Sequence, residues 1–399
     1  MKIGIYGGSF NPIHLGHMAA ARGAAERLGL DKLYLIPAGI PPHKALEEDS
    51  AGPGHRLDMA RLAAEALELP GIVEVSDMEL CRQGKSYTVD TVEAFRKRFP
   101  DDQLYLLMGT DMFLSFQDWR HPRRIARQCV LCAFCRSDGD RREAFTAQER
   151  RLAQAYDART RLLLDLPEVV EVSSTWLREK LAQGEGRAFL SPAVYGYILL
   201  HGLYGVKRDL KDLPLEELRC AALAMLAHSR VPHVLGTEET AARLARRWGA
   251  DEEEARRAAL LHDCTKKESR EQQLALCRQY HIAVEEPEKL ETKLLHAITG
   301  AAVAEQVFGL SPAAVSAIRW HTTGKADMTL LEKIIYLADY IEPTRDFCDL
   351  TELRRLAYED LDRAMLLGFT MAVEDLREKG MVVHPDSVRA RDYLKGIMA

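Results

Sequence analysis

Long hydrophobic segments are absent from the 399-residue sequence. No uncharged apolar run approaches the roughly 18 residues that a membrane-spanning helix needs. The first ten residues, MKIGIYGGSF, lead directly into a strand and a glycine turn, without the longer apolar core of a signal peptide. We therefore expect a cytoplasmic protein that has no membrane partner.

An excess of positive charge is also lacking. The chain carries 54 lysines and arginines against 60 aspartates and glutamates, which gives a net charge of −6 at pH 7. This balance excludes a general nucleic-acid binder, which needs a basic surface. Small anionic substrates remain compatible with it, because individual sites can be positive in a mildly acidic protein.

Cysteine is scarce, with eight residues in the whole chain, so a disulfide framework is excluded. One cluster needs a separate interpretation, since Cys129, Cys132 and Cys135 have a C-x-x-C-x-x-C spacing that occurs in iron–sulfur sites. No fourth cysteine follows nearby, and the segment CVLCAF at 129–134 is typical of a buried strand. We therefore predict buried free thiols at this cluster.

Two kinds of periodicity divide the chain. In the first half, apolar strand-like runs alternate with helical patterns, which predicts an α/β domain with a parallel sheet covered on both faces. From residue 215 onward the pattern is helical with almost no strand signal, which predicts an all-α domain. A short charged stretch, VKRDLKDL, separates the two and ends at Pro214. We therefore predict domains at 1–205 and 215–399, joined by a linker at 206–214.

The first apolar strand runs into an eleven-residue string, GGSFNPIHLGH, at 7–17. Two glycines after a buried strand allow a tight turn and a close approach of backbone to a ligand. A helix then begins near Leu15, and its N-terminus offers free N–H groups that suit phosphate. His14 and His17 are three residues apart and share one face of the first turn. The string therefore predicts a phosphate site.

The same string resembles the H-x-G-H signature of nucleotidyltransferases of the Rossmann-like adenylyltransferase superfamily. Further segments resemble those of bacterial nicotinate-nucleotide adenylyltransferases, namely PPHK at 41–44, SYTVDT at 86–91, GTD at 109–111, VSSTWLR at 172–178 and YGYILLHGLY at 195–204. The resemblance covers residues 1–205 and implies transfer of AMP from ATP, with its Mg²⁺, to nicotinate mononucleotide, giving deamido-NAD and pyrophosphate. The alternative is an adenylyl- or cytidylyltransferase with another acceptor, such as nicotinamide mononucleotide or phosphopantetheine.

The resemblance also implies roles for individual residues. His17 and Arg178 would act in catalysis by contacting the reacting phosphates. The residues implied in ATP and phosphate binding are Gly8, Ser9, Phe10, His14, His17, Lys44, Ser173, Ser174, Thr175 and Arg178. The residues implied in nicotinate-nucleotide binding are His43, Thr88, Asp111 and Trp119. For Trp119 the alternative is a core tryptophan, and for His43 it is a loop residue that only positions Lys44.

In the second half, polar side chains interrupt or directly follow apolar helix faces. His262 and Asp263 come after two leucines, His296 after two more, and Asp339 lies inside the apolar run YLADYI. Polar groups on buried faces need partners, and a shared metal ion would supply them. Imidazole and carboxylate together suit iron, manganese, zinc and similar divalent ions.

Four segments of this half, LLHDCTKK, KLLHAITG, IRWHTTG and MTLLEKIIYLADYIEPTR, resemble HD-domain symmetrical bis(5′-nucleosyl)-tetraphosphatases. The resemblance spans 215–397 and implies hydrolysis of diadenosine tetraphosphate to two ADP at a dinuclear centre of iron or another divalent metal. The implied metal ligands are His233, His262, Asp263, His296, His321 and Asp339. Asp263 would also orient the attacking water, and Lys266 would act in catalysis by neutralising a phosphate.

Several points stay open at this stage. His233 is preferred over His228 as the first ligand, because it precedes the helical run at the expected place. Arg345 is a second candidate phosphate contact, and Lys266 could equally be a solvated helix-end residue. The second half could instead be an HD phosphohydrolase for other nucleotides, or a metal-stabilised docking module without catalysis. A homo-oligomer is neither indicated nor excluded.

Overall fold

The computed structural model describes residues 1–40, 49–134, 139–163, 166, 172–284, 292–346 and 348–399. It divides into two compact units, Met1–Lys207 and Arg208–Ala399. Within the described residues, no helix combines the length and the apolar character that crossing a membrane requires. His43 and Lys44 of the PPHK segment lie outside the described residues, as does Cys135.

The first unit contains a six-stranded parallel sheet with the order β3-β2-β1-β4-β5-β6. Its strands are β1 (Lys2–Gly8), β2 (Lys32–Pro37), β3 (Val73–Val75), β4 (Gln103–Met108), β5 (Val130–Phe134) and β6 (Thr160–Leu163). The chain moves outward from β1 to β3 and then returns to place β4 on the other side of β1. Such a reversal opens a crevice at the carboxyl ends of the two central strands, where ligands bind in this class of sheet.

Helices connect the strands, as the alternating pattern predicts. They are α1 (Leu15–Leu28), α2 (Pro53–Ala66), α3 (Thr88–Arg98), α4 (Thr110–Leu114), α5 (Pro122–Gln128), α6 (Gly139–Tyr156), α7 (Ser174–Ala182) and α8 (Pro192–His201). The strands carry few polar residues because both faces of the sheet are covered; all five residues of β5 are buried. Cys129 and Cys132 are free thiols and fully buried, as predicted.

The second unit is helical throughout its described part, which confirms the predicted fold class. Its helices are α9 (Leu215–Met225), α10 (Val231–Trp248), α11 (Glu252–Leu261), α12 (Arg270–Gln279), α13 (Thr292–Gln306), α14 (Pro312–Trp320), α15 (Leu330–Ile341), α16 (Thr351–Glu359), α17 (Leu361–Glu378) and α18 (Pro385–Met398). The apolar helix α15 packs against α10, α11, α14, α16 and α17. It therefore forms the centre of this unit.

Capping residues set where two of these helices begin. The Asp251 carboxylate accepts the Glu254 backbone N–H (2.7 Å) before α11, and the Ser311 hydroxyl accepts the Ala314 N–H (3.1 Å) before α14, each satisfying an otherwise unpaired donor. Both helices are short, and the residue that follows the last turn of each is directed into the core of the unit. As a result, the residues that follow them, His262 and His321, lie inside the unit.

Candidate functional sites

A cavity of about 410 Å³ lies at the carboxyl ends of β1 and β4 in the first unit. The residues predicted from the sequence that line it are Gly8, Ser9, Thr88, Trp119, Ser173, Ser174, Thr175 and Arg178. They come from segments more than 160 positions apart in the chain, and the reversal of strand order brings them together. A cavity of this size is large enough for a small-molecule ligand.

The loop after β1 turns sharply toward α1. Phe10 is buried with a φ of 44°, and a Cβ at Gly8 would lie 2.8 Å from its ring, so the loop needs glycine there. His14 is the residue that precedes α1, and its backbone N–H donates to Nδ1 of His17 (3.3 Å). Because Nδ1 accepts, a neutral His17 ring carries its proton on Nε2. His17 can therefore donate a hydrogen bond through Nε2.

The N-terminus of α7 borders the cavity. The Ser173 hydroxyl accepts the Trp176 N–H (3.1 Å) and so caps this helix. One turn later, Arg178 is 4% exposed; its Nε donates to Asp49 (2.8 Å) and its Nη1 to the Asn11 carbonyl (3.0 Å). Arg178 thus brings positive charge to the cavity and also ties α7 to the loop after β1.

An aromatic residue, Trp119, also lines the cavity. Trp119 lines the cavity and packs on Phe116 with ring centroids 5.2 Å apart, so it contributes to the core and to the cavity at once. Asp111 is exposed on α4, whereas Gly109 and Met112 beside it line the cavity. Neighbouring residues of a helix point in different directions, which places Asp111 away from the lining.

The structure adds Arg56, which sequence reasoning missed. It is fully buried, and its Nη1 donates to the carbonyls of Ser9 (2.9 Å) and Ala38 (2.7 Å), joining the ends of β1 and β2. Burial lowers the pKa of its guanidinium, and within the described chain its Nε and Nη2 atoms have no partner. A signal was available, since Arg56 shares a helix face with the buried Met59 and Ala63.

Asn11 is a second residue that holds the loop after β1. Its side-chain oxygen accepts the Ala51 N–H (3.0 Å) and the Tyr204 hydroxyl (3.0 Å), and its amide donates to Ser50 (2.8 Å). Burial raises the pKa of Tyr204, so its hydroxyl stays protonated and remains a donor. The loop is thereby anchored to the last residues of this unit. Asn11 belongs to the GGSFNPIHLGH string but was not singled out as a site residue.

In the second unit, the six predicted metal ligands converge. They come from α10 (His233), the end of α11 (His262 and Asp263), α13 (His296), the end of α14 (His321) and α15 (Asp339). Five of the six are at most 5% exposed, and the side chain of Asp339 is 16% exposed. His228, the alternative first ligand, lies in a 3₁₀ turn before α10. Among the described residues, two groups of side chains are close enough together to hold a metal ion, and neither contains His228.

Asp263 lies between two groups of imidazoles. Its Oδ1 is 3.1 Å from Nε2 of His296 and 3.8 Å from Nε2 of His321. Its Oδ2 is 3.5 Å from Nε2 of His262 and 3.7 Å from Nε2 of His233. One carboxylate therefore faces a pair of histidines with each oxygen, the arrangement that a ligand bridging two cations would have.

Each pair of histidines is itself close. The Nε2 atoms of His233 and His262 are 3.3 Å apart, and Oδ1 of Asp339 is 3.0 Å from the former. The Nε2 atoms of His296 and His321 are 3.1 Å apart. Nitrogen and carboxylate oxygen donors gathered in this way fit divalent transition metals. The donor set of this structure is therefore compatible with a dinuclear centre.

Hydrogen bonds at Nδ1 orient three of the rings. Nδ1 faces the Ala259 carbonyl in His262 (2.6 Å), the Ile318 carbonyl in His321 (2.7 Å) and Oε1 of Glu342 in His233 (3.0 Å). An acceptor at Nδ1 keeps the proton there, so the neutral ring presents its Nε2 lone pair, which is the form that binds metal. The rings are thus preset as ligands.

Glu342 is a residue of this site that the sequence did not reveal. It is fully buried and accepts hydrogen bonds from the Thr344 N–H (2.7 Å) and hydroxyl (2.5 Å) as well as from His233. A Cβ at Gly236 would lie 2.5 Å from its Oε2, so the glycine makes room for it. Its place in the EPTR segment was the available signal, but nothing local shows which histidine it contacts.

Burial and charge act in opposite directions on the ionisable ligands. Burial disfavours the charged form, yet the neighbouring carboxylates, Asp263 above all, raise the pKa of His262 to about 9. The pKa values of Asp263 and Asp339 lie well below their usual range, because the histidines outweigh the effect of burial. Burial and the nearby histidines lower the pKa of His321 to about 3. The cluster is therefore strongly polarised.

Three cations contact the ligand carboxylates. Lys266 lies 3.0 Å from Oδ1 of Asp263, and Arg345 lies 2.6 Å from Oδ1 of Asp339. Arg230, which sequence reasoning did not identify, forms an ion pair with Oδ2 of Asp263. Positive side chains around a metal-ligand cluster provide positions for an anionic substrate.

Comparison with known proteins gives a match for each half. Residues 5–180 match the family model of cytidylyltransferase-like proteins, and residues 230–344 match that of the HD domain. A protein from Carboxydothermus hydrogenoformans, named as a probable nicotinate-nucleotide adenylyltransferase, is 37% identical over 204 residues, which are 51% of this chain and 98% of that protein. A protein of the same name from Clostridium tetani is 36% identical with the same coverage.

A solved structure is similar in sequence to about half of this chain. It comes from Clostridium acetobutylicum and is named as a predicted HD superfamily hydrolase involved in NAD metabolism. It is 37% identical, covers 46% of this chain and 98% of its own chain, and has a TM-score of 0.45.

Proposed function

The chain belongs to the nicotinate-nucleotide adenylyltransferase family through its first half and continues in an HD domain; on this premise we propose that it is a bifunctional enzyme. The first unit transfers AMP from ATP to nicotinate mononucleotide. The second hydrolyses diadenosine tetraphosphate to two ADP. For the first activity the main support is the cavity that is lined by the N-terminus of α7, by Arg178 and by Trp119.

In the proposed transfer, an oxygen of the nicotinate mononucleotide phosphate attacks the α-phosphorus of ATP, and the bond to the leaving pyrophosphate breaks. His17 donates through Nε2 to the reacting phosphates, while the N–H groups at the start of α7 and the Arg178 guanidinium hold the adjacent oxygens. Trp119 stacks on the pyridine ring beside Thr88. Mg²⁺ bound to ATP would supply further positive charge to the phosphate oxygens.

Pyrophosphate release by the intact chain tests the first activity. We expect nicotinate mononucleotide to be a better acceptor than nicotinamide mononucleotide or phosphopantetheine. His17→Asn should lower kcat at least about 100-fold, because it removes a donor to the transition state. The matched control is His121→Asn, at an exposed histidine of the same unit. Equal loss in both variants, or a preference for another acceptor, would overturn the assignment.

For the second activity, the main support is the position of Asp263 between two pairs of imidazoles. His233, His262 and Asp339 would hold one divalent ion and His296 and His321 the other, with Asp263 shared, and we propose iron as the metal. Such ions supply positive charge to phosphate oxygens and lower the pKa of a water molecule. Glu342 holds the His233 ring in place, and Lys266 and Arg345 neutralise phosphate oxygens of the substrate. Water attacks one of the two phosphorus atoms that share the central bridging oxygen, the bond from that phosphorus to the bridging oxygen breaks, and two ADP leave with the protons of the water.

Metal content and nucleotide turnover together test the second activity. Asp263→Asn should lose bound metal and reduce hydrolysis at least about 100-fold, since it removes a ligand rather than a partner of a ligand. Adenylyl transfer should persist. Asp375→Asn is the control, because Asp375 pairs with Lys379 on the surface of α17. Turnover of other nucleotides alone would favour a different HD phosphohydrolase, and bound metal without any turnover would favour a docking module.

A further inference from the structure

Arg230 occupies an unusual position at the edge of the ligand cluster. It ends the 3₁₀ turn His228–Arg230 that leads into α10. Its Nη2 forms an ion pair with Oδ2 of Asp263, and its side chain is 25% exposed. Its Nε is buried and has no hydrogen-bond partner among the described residues. The guanidinium therefore has a donor in place for an acceptor that this part of the chain does not provide.

The oxygen that Arg230 contacts is also the one directed at His233 and His262 (3.7 and 3.5 Å). A divalent ion held by those two rings would need the same lone pairs. An arginine remains charged at every accessible pH, so it cannot reduce its repulsion of the ion by losing a proton. Arg230 and a cation at this position must therefore compete for Asp263.

The other two cations are held differently. Nε of Arg345 donates to the Asp339 backbone carbonyl (2.9 Å), which fixes it to the end of α15 whatever binds the carboxylate. Lys266 contacts both oxygens of Asp263 (3.0 and 3.3 Å) and is a single point charge. Of these three cations, Arg230 is the one that has all three of the following properties. It forms an ion pair with Asp263, its guanidinium is planar, and its buried Nε has no hydrogen-bond partner in the described chain. A fork of this kind matches two oxygens of a phosphate.

We propose that Arg230 exchanges partners when the cluster is loaded: it neutralises Asp263 in the metal-free chain, and it binds phosphate oxygens of the substrate once cations occupy the cluster. The proposal deepens the hydrolase assignment and rests on it for the identity of the substrate as a phosphate anhydride. The proposal makes metal binding and phosphate binding mutually dependent. Metal binding frees the Arg230 guanidinium from Asp263, and phosphate binding then uses the freed guanidinium. By linkage, phosphate must then tighten metal binding by the same factor by which metal tightens phosphate binding.

The test is the affinity of the full-length protein for Mn²⁺, read from the electron paramagnetic resonance of free Mn²⁺, with and without inorganic phosphate. This readout does not depend on hydrolysis. In the wild type, phosphate should tighten Mn²⁺ binding. Arg230→Gln should bind Mn²⁺ alone about tenfold more tightly, since a competing charge is gone. In the same variant phosphate should tighten Mn²⁺ binding about tenfold less than in the wild type.

Two further variants complete the design. Arg243→Gln removes an arginine of α10 that pairs with Glu239 on the surface, and it should match the wild type in both titrations. Arg230→Lys keeps the charge but loses the fork, so it should still compete with Mn²⁺ and yet show the weaker effect of phosphate. This second variant carries the test if Arg230→Gln does not give a cooperative thermal unfolding transition.

The two changes at Arg230 have opposite signs, which makes the proposal easy to overturn. A fall in the Mn²⁺ affinity of Arg230→Gln would mean that Arg230 supports the metal ligands rather than competing with cations. An unchanged effect of phosphate would mean that it does not bind the substrate. Either result would leave the hydrolase assignment intact, which fails separately if the wild type turns over no nucleotide.

Discussion

Replacement of Glu342 by glutamine tests whether a buried carboxylate sets the metal affinity of the cluster. Glu342 is fully buried and accepts from Nδ1 of His233 (3.0 Å) and from the backbone N–H of Thr344 (2.7 Å). Glutamine keeps the shape but replaces one acceptor oxygen with an N–H₂ donor. Rotation of the amide cannot satisfy both partners, and it removes the negative charge in either orientation.

The expected size of the effect follows from these contacts. A hydrogen bond to a charged group contributes about 1.5 to 3 kcal/mol, and loss of a partner behind a metal-bound histidine typically costs about 10- to 100-fold in affinity. The two ranges agree, because a tenfold change corresponds to about 1.4 kcal/mol. We therefore expect Glu342→Gln to bind Mn²⁺ at least about tenfold more weakly than the wild type.

The measurement is a Mn²⁺ titration by electron paramagnetic resonance, with thermal unfolding of the metal-free proteins alongside. Glu332→Gln is the matched control, since Glu332 is also fully buried on α15 and accepts from Ser316 (2.5 Å) and from the Thr329 N–H (2.7 Å). Both variants should lower thermal stability, but only Glu342→Gln should lower Mn²⁺ affinity. Equal Mn²⁺ affinity in the two variants would refute the role of Glu342 in orienting His233.

Three further predictions follow from particular contacts. Gly236→Ala should weaken Mn²⁺ binding without touching a ligand, because its Cβ would lie 2.5 Å from Oε2 of Glu342; normal affinity in a metal titration would contradict this. Arg56→Met should lower adenylyl transfer while hydrolysis continues, since it removes the buried donor that joins the carbonyls of Ser9 and Ala38 at the ends of β1 and β2; parallel assays of both activities check it. Burial raises the pKa of the Cys129 and Cys132 thiols to about 12 and also shields them, so at pH 8 iodoacetamide should label both much more slowly than the exposed Cys81; comparable rates in a mass-spectrometric time course would show that these thiols are accessible.

The fold class of both halves could be predicted because it depends on local patterns. Apolar runs separated by helical periods predicted the parallel sheet, and the described residues form a six-stranded parallel sheet. The helix starts at Asp251 and Ser311 could be predicted for the same reason, since a capping side chain bonds to an N–H three residues away. Interactions within a few residues leave a signature in the sequence.

The candidate site residues form two groups, those that lie in a local sequence motif and those whose partners are distant in the chain. Strings such as GGSFNPIHLGH and LLHD contain the glycine turn, the histidines and Asp263 as near neighbours in the chain, so a single motif predicts them together. Arg56 and Arg230 lie in no such string, and the EPTR segment that contains Glu342 does not show which histidine Glu342 contacts. Each acts through a partner elsewhere in the chain, and Glu342 contacts His233 across 109 positions.

The sequence by itself therefore determined the order of the two domains and the kind of sheet and helices in each, and it predicted the candidate residues of the proposed phosphate and metal sites. Only the tertiary structure decided which carboxylate oxygen faces which imidazole, which buried glutamate orients His233, and that Arg230 lies on Asp263. The physical reason is that a hydrogen bond or an ion pair forms or fails to form when the distance between its two atoms changes by a few tenths of an ångström. Such distances are set by the packing of whole helices rather than by neighbours in the chain.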